Sequence, residues 1–394
     1  MDLTRGGISR PMLLFAGPMI AGNLLQQCYN IVDSLIVGRA LGASALASVG
    51  FSFTLMTFLT SILLGLCMGS GAVFSMQYGR RDMERLKNSL FLSFTFIAAV
   101  TVLLNVAVFL GLDLIVAALQ VPNEVVPLMK EYLLIIFIGI SATFLYNYFA
   151  SLLRAVGNSI VPLVFLGIAS VLNVGLDLLF VLVFPWGVQG AAAATVIAQF
   201  VSGFGMAGVP SLRPAKRHLR WDAGIVREIA SLSFLTSVQQ SIMNFGILLI
   251  QGLVNSFGTV VMAAFAAAVK INSFAHMPAQ DFGNAFSTFI AQNYGAGRHD
   301  RIQKGVKSAV LTALVFCVTI SAFVCIFARS LIGLFVQPGE TDILAVGVQY
   351  LRIEGSCYFG IGLLALLYGY YRAIHRPGIS VVLTVISLGT RVLL

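Results

Sequence analysis

The sequence predicts an all-α polytopic membrane protein, and three observations carry that prediction: long apolar segments recur along the whole chain, charged residues are scarce, and the second half repeats the pattern of the first. Of 394 residues, 58% are hydrophobic and 10% charged, against roughly 25% charged in an ordinary soluble domain, so lipid is one of its solvents. The apolar segments run to about 20–28 residues, and at about 1.5 Å per residue each crosses a hydrocarbon core of about 30 Å as a helix. Strands of a membrane barrel would be about 10 residues long and alternating, which is not the pattern here.

Ten complete spans are predicted, at about 11–38, 45–76, 88–112, 130–153, 160–184, 188–209, 228–256, 260–294, 306–333 and 345–372, with an eleventh starting near 378. Arg5 and Arg10 precede a first apolar segment too long for a cleavable signal and without a small-residue cleavage site, so that span itself directs insertion. The net charge of +9 does not point to nucleic acid, because the basic residues sit in short segments between apolar runs. With the amino terminus in the cytoplasm, the inner segments hold 18 of the 24 Lys and Arg. The outer connections Val121 to Val126 and Gln337 to Asp342 carry Glu124, Glu340 and Asp342 instead, as the positive-inside rule requires. A multi-pass protein of a bacterial-type inner membrane is the expectation. The five cysteines lie within or beside apolar segments without metal-ligand spacing and read as free thiols.

Residues 210–227, with Arg213, Lys216, Arg217 and Arg220, form a basic linker between an amino-terminal lobe (1–209, spans one to six) and a carboxy-terminal lobe (228–394). The lobes repeat: Tyr78-Gly79, Glu84 and Arg85 recur as Tyr294-Gly295, Asp300 and Arg301 at one constant offset without gaps, and further on Arg154-Ala155 recurs as Arg372-Ala373. Both copies start on the same side of the membrane, so the repeat is parallel, about an axis along the membrane normal. Two such bundles rocking against each other suit alternating access.

The run Gly17-Pro18, Gln26, Tyr29-Asn30-Ile31-Val32-Asp33, Gly38-Arg39 and Leu41-Gly42 resembles the opening of multidrug and toxic compound extrusion (MATE) transporters. Leu153 to Asn158 and Ala291 to Gly297 are similar to that family's loops after spans four and eight. The resemblance covers the whole chain in order. It implies two six-helix lobes and an antiporter that exports amphipathic, often cationic, compounds in exchange for H+ or Na+, with no cofactor, no enzymatic activity and no nucleic-acid partner. Twelve spans are implied, so the last span and a half lie beyond this chain.

Ionised groups inside hydrocarbon cost about 2.5–3.5 kcal/mol even on the mildest scale and are functional by default. Asp33 lies near the outer end of span one, with Tyr29 and Gln26 on the same face. Asp177 lies at similar depth on span five with Asn173 one turn away, and Thr195 and Gln199 follow on span six. Two carboxylates, an amide oxygen and a hydroxyl suit a hard cation such as sodium; the same pair could share a proton, because like charges at close range disfavour double ionisation. Resemblance adds that Asp33, Asn173, Asp177 and Thr195 match the amino-lobe cation site of the family's DinF-like branch. Pro18 weakens the helical ladder of span one, and the family places a bend-prone proline there.

In the carboxy-terminal lobe the acids that NorM-like members carry in spans seven and ten are replaced; span seven offers Gln239 and Gln240, and span ten has Glu354. Lys270 and Glu354 fall at similar depths and suit an ion pair, with Arg391 an alternative partner, and Asp281 lies deeper on the Lys270 face. Gln26, Tyr29, Tyr146, Asn147 and Gln199 are the candidate substrate contacts. A lipid-linked saccharide flippase of related architecture is the alternative reading. An intramembrane hydrolase would need a nucleophile and base or a metal set that the four histidines do not supply. Nothing in the sequence signals an oligomer, and a monomer is expected.

Overall fold

The computed structural model describes the backbone of all residues except 115–125, 209–213, 256, 337–338 and 394, and no side chains at 43, 44, 46, 47, 51, 54, 248, 251, 252, 255 and 391–393. Residues 121–125 and 337–338 of the outer connections, Arg213 of the linker and the side chain of Arg391 thus lie outside the described residues. Every predicted span is helical: α1 (Ser9–Leu41), α2 (Ala43–Arg80), α3 (Met83–Leu110), α4 (Val126–Ala155), α5 (Ile160–Asp177), α6 (Gly187–Ala207), α7 (Ala223–Asn255), α8 (Thr259–Gly295), α9 (His299–Gly333), α10 (Thr341–Ser356), α11 (Tyr358–Ala373) and α12 (Pro377–Leu393). Among the described residues there is no β-strand.

By length and apolarity alone, seven described helices are long enough to cross a membrane, and α10 with α11 makes an eighth. Over the described residues α1 and α7 are not among them. Span ten is predicted as one rod but is bent by 47° where α10 meets α11. The sequence there is Gly355-Ser356-Cys357, and the Ser356 hydroxyl donates to the Ile353 carbonyl (2.7 Å), a local bond that competes with the helical ladder. The outer faces stay apolar: on α9, Leu311, Val315, Val318 and Ile326 are 58–70% exposed along one stripe, the surface a helix offers to lipid.

The internal repeat is legible in the backbone. Gly42 before α2 and Gly258 before α8 are mates at the offset of the sequence repeat, and both adopt a left-handed conformation (φ 86° and 94°) that an L side chain rarely takes. Two compact units are present, residues 21–241 and residues 1–20 with 242–394, so their boundaries fall inside α1 and α7. In the first unit α4 packs against α2, α3 and α6; in the second, α8 packs against α9, α10 and α11. A matched crossing recurs: Gly71 meets Ser151 between α2 and α4, and Ser287 meets Gly369 between α8 and α11, the same pair of small residues with the roles exchanged.

Candidate functional site

The site lies within the unit of residues 21–241 and is built by α1, α4, α5 and α6. Glycines set the spacing. A Cβ on Gly22 would touch Leu166 of α5 at 3.5 Å, one on Gly203 would lie 2.9 Å from Leu145 of α4, and one on Gly205 would lie 2.2 Å from the Phe165 ring of α5. Small residues on the crossing faces thus let α1, α4, α5 and α6 approach closely.

These helices line a small, partly open cavity whose wall is formed by Gln26, Tyr29, Tyr146, Leu166, Ala169, Asn173, Thr195, Ala198, Gln199 and Ser202. One helical turn beyond it, four residues after Tyr29 and four after Asn173, stand Asp33 and Asp177. The two carboxyl groups lie within interaction range of each other. Asp177 is fully buried and Asn173 is 2% exposed. Both oxygens of Asp177, Oδ1 of Asp33 and Oδ1 of Asn173 are buried without a hydrogen-bond partner. An acceptor left so costs about 1–3 kcal/mol, more for a charged one, so four oxygens in one place form an arrangement that a cation or protons would stabilise. The Asn173 amide donates to the Thr195 hydroxyl (3.3 Å), which itself donates to the Ala191 carbonyl (3.1 Å), and this orients the Asn173 oxygen away from α6. The helix changes register here: a π-helical stretch, Leu178–Val183, begins directly after Asp177, the kind of insertion that clusters at functional positions.

Of the candidate substrate contacts, Gln26, Tyr29, Tyr146 and Gln199 line the cavity. Asn147 does not; its amide donates to the Thr143 carbonyl one turn back (2.8 Å). The Gln199 oxygen accepts from the Thr143 hydroxyl (2.6 Å). Pro18 sits inside α1, two residues before the boundary between the units. Two residues escaped the sequence reading. Ser202 is buried in the cavity wall with an unpartnered hydroxyl, and its spacing of seven from Thr195 and three from Gln199 would have placed it on their face. Tyr132, buried on α4, lies within electrostatic range of Asp33 and Asp177; beside Lys130 and Glu131 it read as a span end.

The intramembrane charges of the other unit are placed differently. Glu354 on α10 accepts from the Asn272 amide, and the Tyr358 hydroxyl donates to the Asn272 oxygen. Lys270, expected beside Glu354, is exposed and lies over the Phe335 ring at 5.7 Å. Asp281 is buried on α8. Of the span-seven glutamines, Gln239 is buried and Gln240 donates to the Met68 sulfur (3.4 Å), both in the unit of residues 21–241. Among the described residues no cluster of three or more His, Cys, Asp or Glu could hold a metal ion.

A family model described as MatE matches residues 18–179 and 235–394. A probable multidrug resistance protein of Bacillus subtilis (strain 168), YpnP, is 31% identical over 391 residues, which covers 98% of this chain and 87% of its own length. An FAD transporter of Shewanella oneidensis is 24% identical over 401 residues, covering 97% of this chain and 86% of its own. The crystal structure of MATE in complex with MaL6 superposes with a TM-score of 0.91 at 22% identity, covering 98% of this chain and 89% of that one; at that identity the likeness is one of fold.

Proposed function

The chain belongs to the MatE family, a family of membrane transporters and not of enzymes, and from that premise we propose that it exports amphipathic or cationic small molecules in exchange for H+ or Na+ by alternating access. The observation that carries this reading is the junction of cavity and carboxylates. Tyr29 and Asn173 belong to the cavity wall, and each stands one turn from a carboxylate of the Asp33–Asp177 pair. A cation taken up by the pair therefore acts on the same two helices that face the substrate, the differential contact that an exchange cycle needs. Asp33, Asn173, Asp177 and Thr195 would hold the coupling ion; Gln26, Tyr29, Tyr146 and Gln199 would face the substrate. Bending of α1 at Pro18 is the movement that would follow occupation. The DinF-like arrangement is the one this reading adopts, with coupling in the amino-terminal lobe, a monomer in a bacterial-type inner membrane, and the amino terminus in the cytoplasm.

Energetically the exchange is sufficient. For an uncharged substrate, one charge moving inward down 100 mV supplies about 2.3 kcal/mol, which sustains a substrate gradient of roughly 40-fold at about 1.4 kcal/mol per decade. A monovalent cationic substrate exchanged one for one moves no net charge and draws on the ion's concentration gradient instead. The test is efflux of ethidium and norfloxacin from cells expressing the protein, with a proton or a sodium gradient imposed separately. Efflux driven by one gradient and lost in both Asp33→Asn and Asp177→Asn supports the reading and names the ion. Efflux that survives both substitutions moves coupling elsewhere. If the wild type exports neither compound but does transport FAD or a lipid-linked saccharide, drug export is the wrong substrate class.

A further inference from the structure

The residues that precede α1 form no helix, yet they are firmly held. Leu3 is fully buried. Its N–H donates to the Gln292 oxygen (3.1 Å), and its carbonyl accepts from the Asn293 amide (3.2 Å) and from Nη2 of Arg301 (3.1 Å). The Arg301 guanidinium reaches further along the same segment: Nη1 donates to the Gly6 carbonyl (2.7 Å), and Nη2 also faces those of Gly7 (3.2 Å) and Arg5 (3.4 Å). Its Nε is fixed by Asn293 (3.0 Å), and its plane lies 5.9 Å from the Phe289 ring. One planar cation with a fork of donors thus collects four consecutive or near-consecutive carbonyls, a task for which lysine lacks the geometry.

The unit of residues 21–241 repeats the device with other chemistry. Leu219 and Arg85 are the repeat mates of Leu3 and Arg301, at the same constant offset. There, Glu84 accepts from Arg217 (2.7 Å) and pairs with His218 (2.8 Å), and Arg85 pairs with Glu228 (2.9 Å) in the second turn of α7. The segment before α7 is held by the first turn of α3, as the segment before α1 is held by the last turn of α8 and the first turn of α9. Each strapped helix, α1 and α7, is divided between the two compact units.

We infer that Arg301, with Gln292 and Asn293, is a positioning residue for transport: it anchors the leading end of α1 in one unit so that movement of the remainder, which carries Pro18 near the boundary and Asp33 beyond it, is transmitted rather than dissipated. A helix loose at one end would let Asp33 take up its ion without moving anything. This inference rests on the exchange reading above, and its test separates the two. The protein is compared with Arg301→Ala, Arg301→Lys, a deletion of residues 2–7, and the deletion combined with Arg301→Ala. Ethidium efflux is measured in cells, and amide hydrogen exchange is measured on the purified chains.

The expected result is a maximal efflux rate at least about fivefold lower in Arg301→Ala and in the deletion, with the apparent KM within about twofold, the pattern of a lost step and not of lost binding. Arg301→Lys should fall between them and wild type. The combined variant should be no slower than the deletion alone, because both remove one interaction. Amides of residues 8–20 should exchange at least about tenfold faster in both single variants, with those of Ile160–Asp177 unchanged. Effects that multiply in the combined variant, a deletion that pumps at the wild-type rate, or unchanged exchange in residues 8–20 each overturn the inference. If Arg301→Ala does not fold, the deletion decides alone. A wild type that exports no ethidium defeats the export reading, while the exchange measurement still decides whether the strap is anchored as described.

Discussion

The unit of residues 21–241 and the unit of residues 1–20 and 242–394 descend from one pattern, but the Asp33–Asp177 group of the one and the Glu354 row of the other are bonded in opposite ways. In the first, Asp33, Asn173 and Asp177 keep four buried oxygens without a hydrogen-bond partner. In the second, Glu354, Asn272 and Tyr358 bond to one another in a row. The same contrast holds for the arginines at the ends of α4 and α11. Arg372 is buried and donates to Asn284 (2.9 Å) and Ser287 (3.3 Å). The repeat mates of those two partners are Met68 and Gly71, neither of which offers a side-chain oxygen, and Nε of Arg154 is buried without a partner. Satisfied networks rigidify, whereas unsatisfied ones retain a cost that a ligand can relieve. On the proposed reading, ion exchange would fall to the first unit and a mainly structural part to the polar row of the second.

The comparison breaks most directly at the carboxylates. Asp177→Asn and Asp33→Asn are each expected to lower coupled efflux by about 100-fold or more, since the exchangeable charge is gone. Glu354→Gln should stay within about threefold of wild type, since an amide oxygen still accepts from Asn272. Efflux assays at matched expression decide it; equal losses in both units would erase the distinction.

A second test sharpens the comparison of packing. A Cβ at Gly369 would lie 2.5 Å from the Gly283 carbonyl, whereas one at Gly71 would meet Ser151 at an ordinary 3.6 Å. Gly369→Ala should therefore cost about 1–3 kcal/mol by overpacking backbone against backbone. Gly71→Ala should be within about 0.5 kcal/mol of wild type. Thermal unfolding followed by tryptophan fluorescence or size exclusion in detergent would show the asymmetry.

Hydroxyl removal separates the units again, with smaller effects. Tyr358→Phe leaves the buried Asn272 oxygen without its donor and should destabilise by about 1–3 kcal/mol, with the ion dependence of efflux unchanged. Thr195→Val removes the acceptor that orients Asn173, and should raise the half-saturating ion concentration about five- to tenfold, or roughly 1 kcal/mol. The smallest effect belongs to Ser202→Ala. Its hydroxyl has no partner to lose, so stability should change by less than about 0.5 kcal/mol, and a shift in substrate KM would be the informative readout.

The length and spacing of the apolar runs, taken alone, determined the class, the order of the spans and the parallel repeat, because a helix in lipid must satisfy its own backbone and show an apolar surface. The constant offset of the repeat reappears as the matched left-handed glycines Gly42 and Gly258. Counting residues along single helices also set Asp33, Asn173, Asp177 and Thr195 at one depth, since rise per residue is fixed. Tertiary structure decided which groups meet. Depth does not determine the rotation of one helix against another, so the turn of Asn147 back onto Thr143, the approach of Tyr132 to the carboxylates and the separation of Lys270 from the Asn272–Glu354–Tyr358 row became visible only once the helices were packed. The same holds for the strap. Nothing local in Met1 to Gly7 marks it as ordered; it is held by Arg301, which follows α8 far along the chain, and a contact of that kind exists only in the folded chain.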